Sequence, residues 1–242
     1  MKITFVYHSC YVIEFEEVVF VFDYFKGKLP VWDKDKKVYF FASHKHKDHF
    51  SLDIFKFKEI YINVNFVLSN DIKFTDKFLL RHKIDPIIKE QVIRIGKNEN
   101  IVIQLGGKEI QVETLGSTDE GVAFLITYEG STIFHAGDLN WWSWAGETEE
   151  EYIEMTQNYM NEMDKLCNRK IDVAFVVLDP RQEERYWWGM DYFMKVTNAN
   201  KVFPMHCWEK YWIIKQFKKD KQNETYCDRL MDIEKEGDYY IL

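Results

Sequence analysis

Ser43-His44-Lys45-His46-Lys47-Asp48-His49-Phe50 follows Val38-Tyr39-Phe40-Phe41-Ala42, five residues that read as a short buried strand. Three of the chain's seven histidines fall inside six positions here, with an aspartate among them. A chain leaving a buried strand can turn such side chains inward. Neutral imidazole and carboxylate together form the donor set that holds zinc and its first-row neighbours. A solvated polar loop accounts for Lys45 and Lys47 but has no need of three histidines.

Working outward, the first forty residues read as a β-meander. Ile3–Tyr7, Tyr11–Phe15 and Val18–Asp23 are apolar or alternating runs, with an acidic turn at Glu16-Glu17. His8 and Asp23 interrupt them at strand ends. A carboxylate after Val18-Val19-Phe20-Val21-Phe22 either caps the next turn or holds a ligand histidine in orientation. Beyond Phe50, Ser51 is a helix cap and Ile60–Phe66 alternates as a strand. Lys73–His82 has helical spacing, with His82 at the helix end as a surface residue.

Val92–Ile95, Ile101–Leu105 and Glu109–Leu115 read as strands, the last two joined by Gly106-Gly107-Lys108 in a hairpin. Gly121–Tyr128 pairs with Ser131–His135, which runs into His135-Ala136-Gly137-Asp138. Thr148-Glu149-Glu150-Glu151 is a capping box opening a methionine-striped helix whose stripe suits core packing. Ile171–Leu178 is a buried strand ending in Asp179-Pro180-Arg181. Met190–Thr197 is helical, Lys201–Phe203 a strand leading to Pro204-Met205-His206, Tyr211–Lys219 a helix and Asp238–Leu242 a final strand. No linker, repeat or low-complexity segment interrupts 1–242, which reads as one layered α/β domain.

Apolar residues make up 46% of the 242 and aromatics 17%, ample for a large core. The net charge of −8 argues against nucleic acid or an anionic membrane as partner. Cys10, Cys167, Cys207 and Cys227 form no CxxC pair and read as reduced thiols. No apolar run approaches the ~18 residues that cross a bilayer, and no signal peptide opens the chain. The expectation is a soluble cytoplasmic protein; oligomeric state is not legible.

Strand ends therefore deliver six metal-type ligands: His44, His46, Asp48, His49, Asp138 and His206. Such a set can hold two divalent ions, with a carboxylate as the natural bridge and a hydroxide between the ions as nucleophile. The pattern resembles the metallo-β-lactamase superfamily. His8-Ser9-Cys10 and Phe203-Pro204-Met205-His206 resemble its lactonase-like, metal-dependent hydrolase branch, and Gly116–Val122 and His135–Trp142 resemble an uncharacterised bacterial subgroup of it. The likeness spans essentially the whole chain.

That resemblance implies a four-layer αββα sandwich of two mixed sheets between helices. It implies His44 and His46 on a first metal, Asp48, His49 and His206 on a second, and Asp138 bridging. The family supplies a further histidine to the first metal from the loop that here reads Leu115-Gly116-Ser117-Thr118-Asp119; Ser117 stands nearest that place. An asymmetric pair is expected, with the second site held more tightly and Asp119, His135 or water completing the first.

The expected function is metal-dependent hydrolysis of a small ester, lactone or phosphodiester by a metal-bound hydroxide oriented by Asp48. His8 and His135 would donate a proton or a hydrogen bond, or else orient ligands. One or two divalent ions are implied, zinc first, with manganese or iron also suited. Trp141, Trp142 and Trp208 would line the mouth, and Arg181 would anchor an anionic group of a small-molecule substrate. The alternatives are a metal-binding or sensing protein that has lost catalysis, and a nuclease. The acidic charge and lack of a basic run weigh against the nuclease.

Overall fold

A computed structural model describes residues 1–242, which divide into two units: Met1–Gly96 with Lys235–Leu242, and Lys97–Glu234. Each unit is built on one mixed sheet.

In the first, β1 (Lys2–Tyr7), β2 (Cys10–Glu14) and β3 (Val18–Phe22) form the expected antiparallel meander. Then β4 (Lys37–Ala42), β5 (Val64–Ser69) and β6 (Val92–Ile95) add on in parallel. The seventh strand, β13 (Tyr239–Ile241), returns antiparallel to β1, pairing Ile3 with Tyr240. Every residue of β3 is buried, as continuous Val/Phe runs demand of a strand covered on both faces. Val19, Val21, Val38, Phe40, Val64 and Phe66 share one core cluster on one face of this sheet. Since β2 runs against both its neighbours, β1 runs the same way as β3 and β4. Their C-terminal ends lie along one edge, which places His8, Asp23 and Ser43 there together.

Two departures from the sequence pattern have a clear local cause. The alternation in Ile60–Phe66 is not strand throughout: Leu52–Glu59 forms a 3₁₀ segment capped by Ser51, and Ile60 and Tyr61 close its end by bonding back to Phe57. Ile60 and Ile62 stay exposed, and the strand starts at Val64. The helix expected over 73–82 is shorter, α1 (Asp76–Arg81), because Thr75 accepts from the N–H of Phe78 and so fixes its start.

In the second unit β7 (Asn100–Leu105), β8 (Lys108–Gly116), β9 (Val122–Tyr128) and β10 (Ser131–His135) are antiparallel. β11 (Val173–Val177) and β12 (Lys201–Met205) extend the sheet in parallel from β10. Between them run α2 (Glu149–Asp164) and α3 (Trp188–Val196); α4 (Trp212–Asp220) follows β12. Thr148 and Glu151 form the predicted reciprocal capping box. The three parallel strands all end at one edge, so Asp138, Asp179 and His206 emerge together, where open α/β sheets place ligands. Two mixed sheets and few helices make the chain α/β, as expected. No helix is long and apolar enough to cross a membrane.

Candidate functional site

Asp23 is the hub of the first unit's array. It is fully buried, and its carboxylate accepts from the Ser43 N–H at 2.7 Å, from Ser43 Oγ at 2.6 Å and from His49 Nδ1 at 2.7 Å. Because a carboxylate only accepts, Nδ1 of His49 carries the proton and its Nε2 keeps a lone pair. The Ser43 hydroxyl spends its proton on Asp23, so it accepts from His44 Nδ1 at 2.9 Å, which leaves His44 Nε2 a lone pair as well. One carboxylate thus sets the tautomer of two histidines, the arrangement by which proteins orient metal-binding imidazoles. Of the two roles open for Asp23 in the sequence, the structure shows the orienting one.

The rings themselves are crowded. His44 lies 4.1 Å from His49 and 4.6 Å from His46, centroid to centroid, and His8 stands edge-on to His49 at 5.7 Å. Protonating several of these would pack like charges together; a cluster of neutral imidazoles with directed lone pairs fits divalent metal. Asp48 is a third exposed, its Oδ2 3.6 Å from His8 Nε2.

In the second unit His206 Nε2 lies 2.8 Å from Asp138 Oδ1. Two ligand atoms at 2.0–2.2 Å from a shared ion and at right angles are about 3 Å apart, so this spacing also fits metal. Nδ1 of His206 faces Asp179 Oδ2 at 3.5 Å. Burial alone would raise the pKa of Asp179, but its contacts with His206 and Arg181 outweigh that and hold it well below the usual carboxylate range. Asp179 therefore stands to His206 as Asp23 stands to His49, a carboxylate at a strand exit behind an imidazole. In the sequence Asp179 reads only as a strand end, and its likeness in position to Asp23 is the available signal.

His8, Asp23 and His206 all have left-handed backbones, at φ of 55°, 44° and 60°. For residues other than glycine this costs roughly 1–2 kcal/mol each, a strain that clusters where side chains must be aimed.

His135 is fully buried and accepts from the Gly137 N–H through Nδ1 at 3.1 Å. Its neutral ring then carries the proton on Nε2, which makes it a hydrogen-bond donor. Ser117 closes its own turn by accepting from the Asp119 N–H at 3.2 Å. Its neighbour Thr118 fastens that loop to the segment after Asp138, donating to Asn140 O at 2.6 Å and accepting from Asn140 N at 3.0 Å. Asn140 continues the brace through its side chain to Gln182 at 2.8 Å. No spacing in the sequence announces this brace.

The aromatic residues divide. Trp141 is packed among Tyr152 and Tyr159 of α2 and Trp188 and Tyr192 of α3. Trp142 is buried, donates to Asp138 O at 2.9 Å and lies 5.8 Å from the His206 ring. Trp208 is partly exposed and donates to Asp179 Oδ2 at 3.1 Å. Arg181 is gripped by Asp179 through Nε and Nη2, and its guanidinium lies 4.4 Å above the Trp208 ring.

Comparison with known proteins agrees with this architecture. The family described as "Beta-lactamase superfamily domain" matches residues 2–143. No curated protein matches the sequence. Among solved structures, Igni18, a metallo hydrolase of the archaeon Ignicoccus hospitalis, is similar with a TM-score of 0.62 at 16% identity, covering 99% of this chain and 97% of its own. The metallo-β-lactamase fold protein YhfI of Bacillus subtilis gives 0.60 at 14% identity, covering 99% and 98%. CmlA, a diiron β-hydroxylase of Streptomyces venezuelae, gives 0.55 at 11% identity and covers 93% of this chain but 51% of its own.

Proposed function

The chain belongs to the beta-lactamase superfamily, and on that premise we propose that it is a metal-dependent hydrolase of a small ester, lactone or phosphodiester. The observation that carries this reading is the Asp23 carboxylate, which fixes the tautomers of His44 and His49 so that both present Nε2 lone pairs. A buried carboxylate that aims two imidazoles is the support that metal-binding histidines usually have.

We infer that His44 and His46 would hold one ion and Asp48, His49 and His206 the other, with Asp138 as a further ligand. Zinc is the proposed ion; the nitrogen and oxygen donors suit manganese and iron as well. When bound, a divalent pair supplies Lewis acidity toward a substrate oxygen and a nucleophilic water. Asp48, partly exposed and within 3.6 Å of His8, would orient the nucleophile that the metal supplies, with His8 steadying its carboxylate. His135 supplies an Nε2–H donor. Trp142, Trp208 and Arg181 line the substrate side. Arg181 spends Nε and Nη2 on Asp179, which leaves Nη1 for one substrate oxygen and suits a monoanionic or neutral substrate. Trp141, packed among helix residues, is proposed only as support for that wall. Four free cysteines accord with a cytoplasmic setting.

One observation favours a second reading, metal binding or sensing without catalysis: Ser117, where the family pattern has a histidine, closes its own turn. Metal analysis of His44→Ala and His49→Ala, with hydrolysis of chromogenic esters, lactones and bis-phosphodiesters before and after chelation, separates the two. Hydrolysis lost on chelation, and a greater loss of metal from His49→Ala, support the hydrolase with an asymmetric pair. Tight metal without turnover of any substrate class favours the sensor.

A further inference from the structure

The histidine segment has a second set of side chains that the centre above leaves unused. Lys45 and Lys47, but neither His44 nor His46, line a cavity of about 630 Å³ in the first unit. That volume is typical of a site for a small organic molecule. Its apolar lining is Phe25, Phe50, Leu52, Ile72 and Phe78. Three exposed lysines, Lys45, Lys47 and Lys73, also line it, with His82. Lys47 and Lys73 are exposed and make no ion pair. In a chain of net charge −8, three lysines around one apolar hollow are a local reversal of sign.

We propose that this cavity binds a monocarboxylate with an apolar chain. The apolar lining removes hydrocarbon from water, and the ammonium groups hold the anionic head. One carboxylate, Asp71, lies in the same wall and accepts from the Lys45 N–H at 3.0 Å. Its charge offsets part of the lysines' charge, which suits a singly charged head better than a phosphate dianion. The same bond makes the backbone between His44 and His46 part of the cavity wall.

Calorimetric titration of the metal-loaded chain with decanoate, kept below its aggregation threshold, and with 1-decanol tests this. Decanoate should bind saturably with one site per chain, about tenfold weaker in the double variant Lys47→Gln/Lys73→Gln, as loss of two solvent-exposed ion contacts predicts. Leu52→Trp, which fills the hollow, should abolish the site, and 1-decanol should bind more weakly than decanoate. Equal affinity in the lysine variant, undiminished binding to Leu52→Trp, or 1-decanol as tight as decanoate overturns the proposal. So does binding that disappears on chelation while ignoring the lysines, since that carboxylate would sit on the metal.

Discussion

Asp23 holds three donors, Ser43 N–H, Ser43 Oγ and His49 Nδ1, in a place with no exposure to solvent. Asp23→Asn keeps the size and tolerates the left-handed backbone at φ 44°, so it isolates the charge. The amide can accept on one side only and must point N–H groups at a neighbour that also donates. Metal affinity should fall ~10–100-fold, the usual cost of removing a carboxylate behind a ligand histidine; competition against a chelator of known affinity measures it. A variant that binds metal as tightly as the parent would mean that His49 needs no such partner. The sequence showed which residues are ligand-type, because histidines and carboxylates at strand exits are rare without cause. It did not show that Ser43 relays the effect of Asp23 to His44, since a serine beside a histidine carries no signal until the two are seen with a third group.

Among the elements, the parallel strands do most to assemble the candidate site. β10, β11 and β12 end at one edge of their sheet, as β1, β3 and β4 do of theirs, so ligand-type residues distant in sequence become neighbours within each unit. The buried apolar runs made those strands legible. The stretch from Ile60 to Phe66 misled for a physical reason: its alternation is real, but the backbone of Ile60 and Tyr61 is already committed to the turn ending at Phe57. The brace from Thr118 through Asn140 to Gln182 was illegible because polar loop residues carry no periodicity. Its geometry makes a prediction at the start of α3. A Cβ on Gly189 would stand 2.0 Å from Asn140 Oδ1, so Gly189→Ala must displace the amide that bonds Gln182. Overpacking of this kind costs about 1–3 kcal/mol, readable as a lower thermal midpoint, whereas an unchanged midpoint would show that the brace yields freely.

For the whole molecule, metal and folding should be linked. The buried imidazoles and carboxylates of the candidate site are donors that a divalent ion would find gathered in the folded chain alone. Zinc at a hundred times its Kd should raise stability by about 2.7 kcal/mol if the unfolded chain does not bind it. Melting the chain with and without chelator checks this, and coincident curves would count against a preformed site. The pairing of β13 with β1 bears on something else, the order of events at the ribosome. The first unit is discontinuous: its sheet is finished by Tyr239–Ile241, bonded in register to Lys2–Thr4. During synthesis β1 precedes its outer partner by the whole length of the second unit, an interval on the order of ten seconds or longer at ~5–20 residues per second. Throughout that interval Ile3 and Phe5 belong to an open strand edge, a template for pairing with other nascent chains. Docking of Tyr239–Ile241 closes that edge, so a chain interrupted before them should be the more prone to pair with its neighbours.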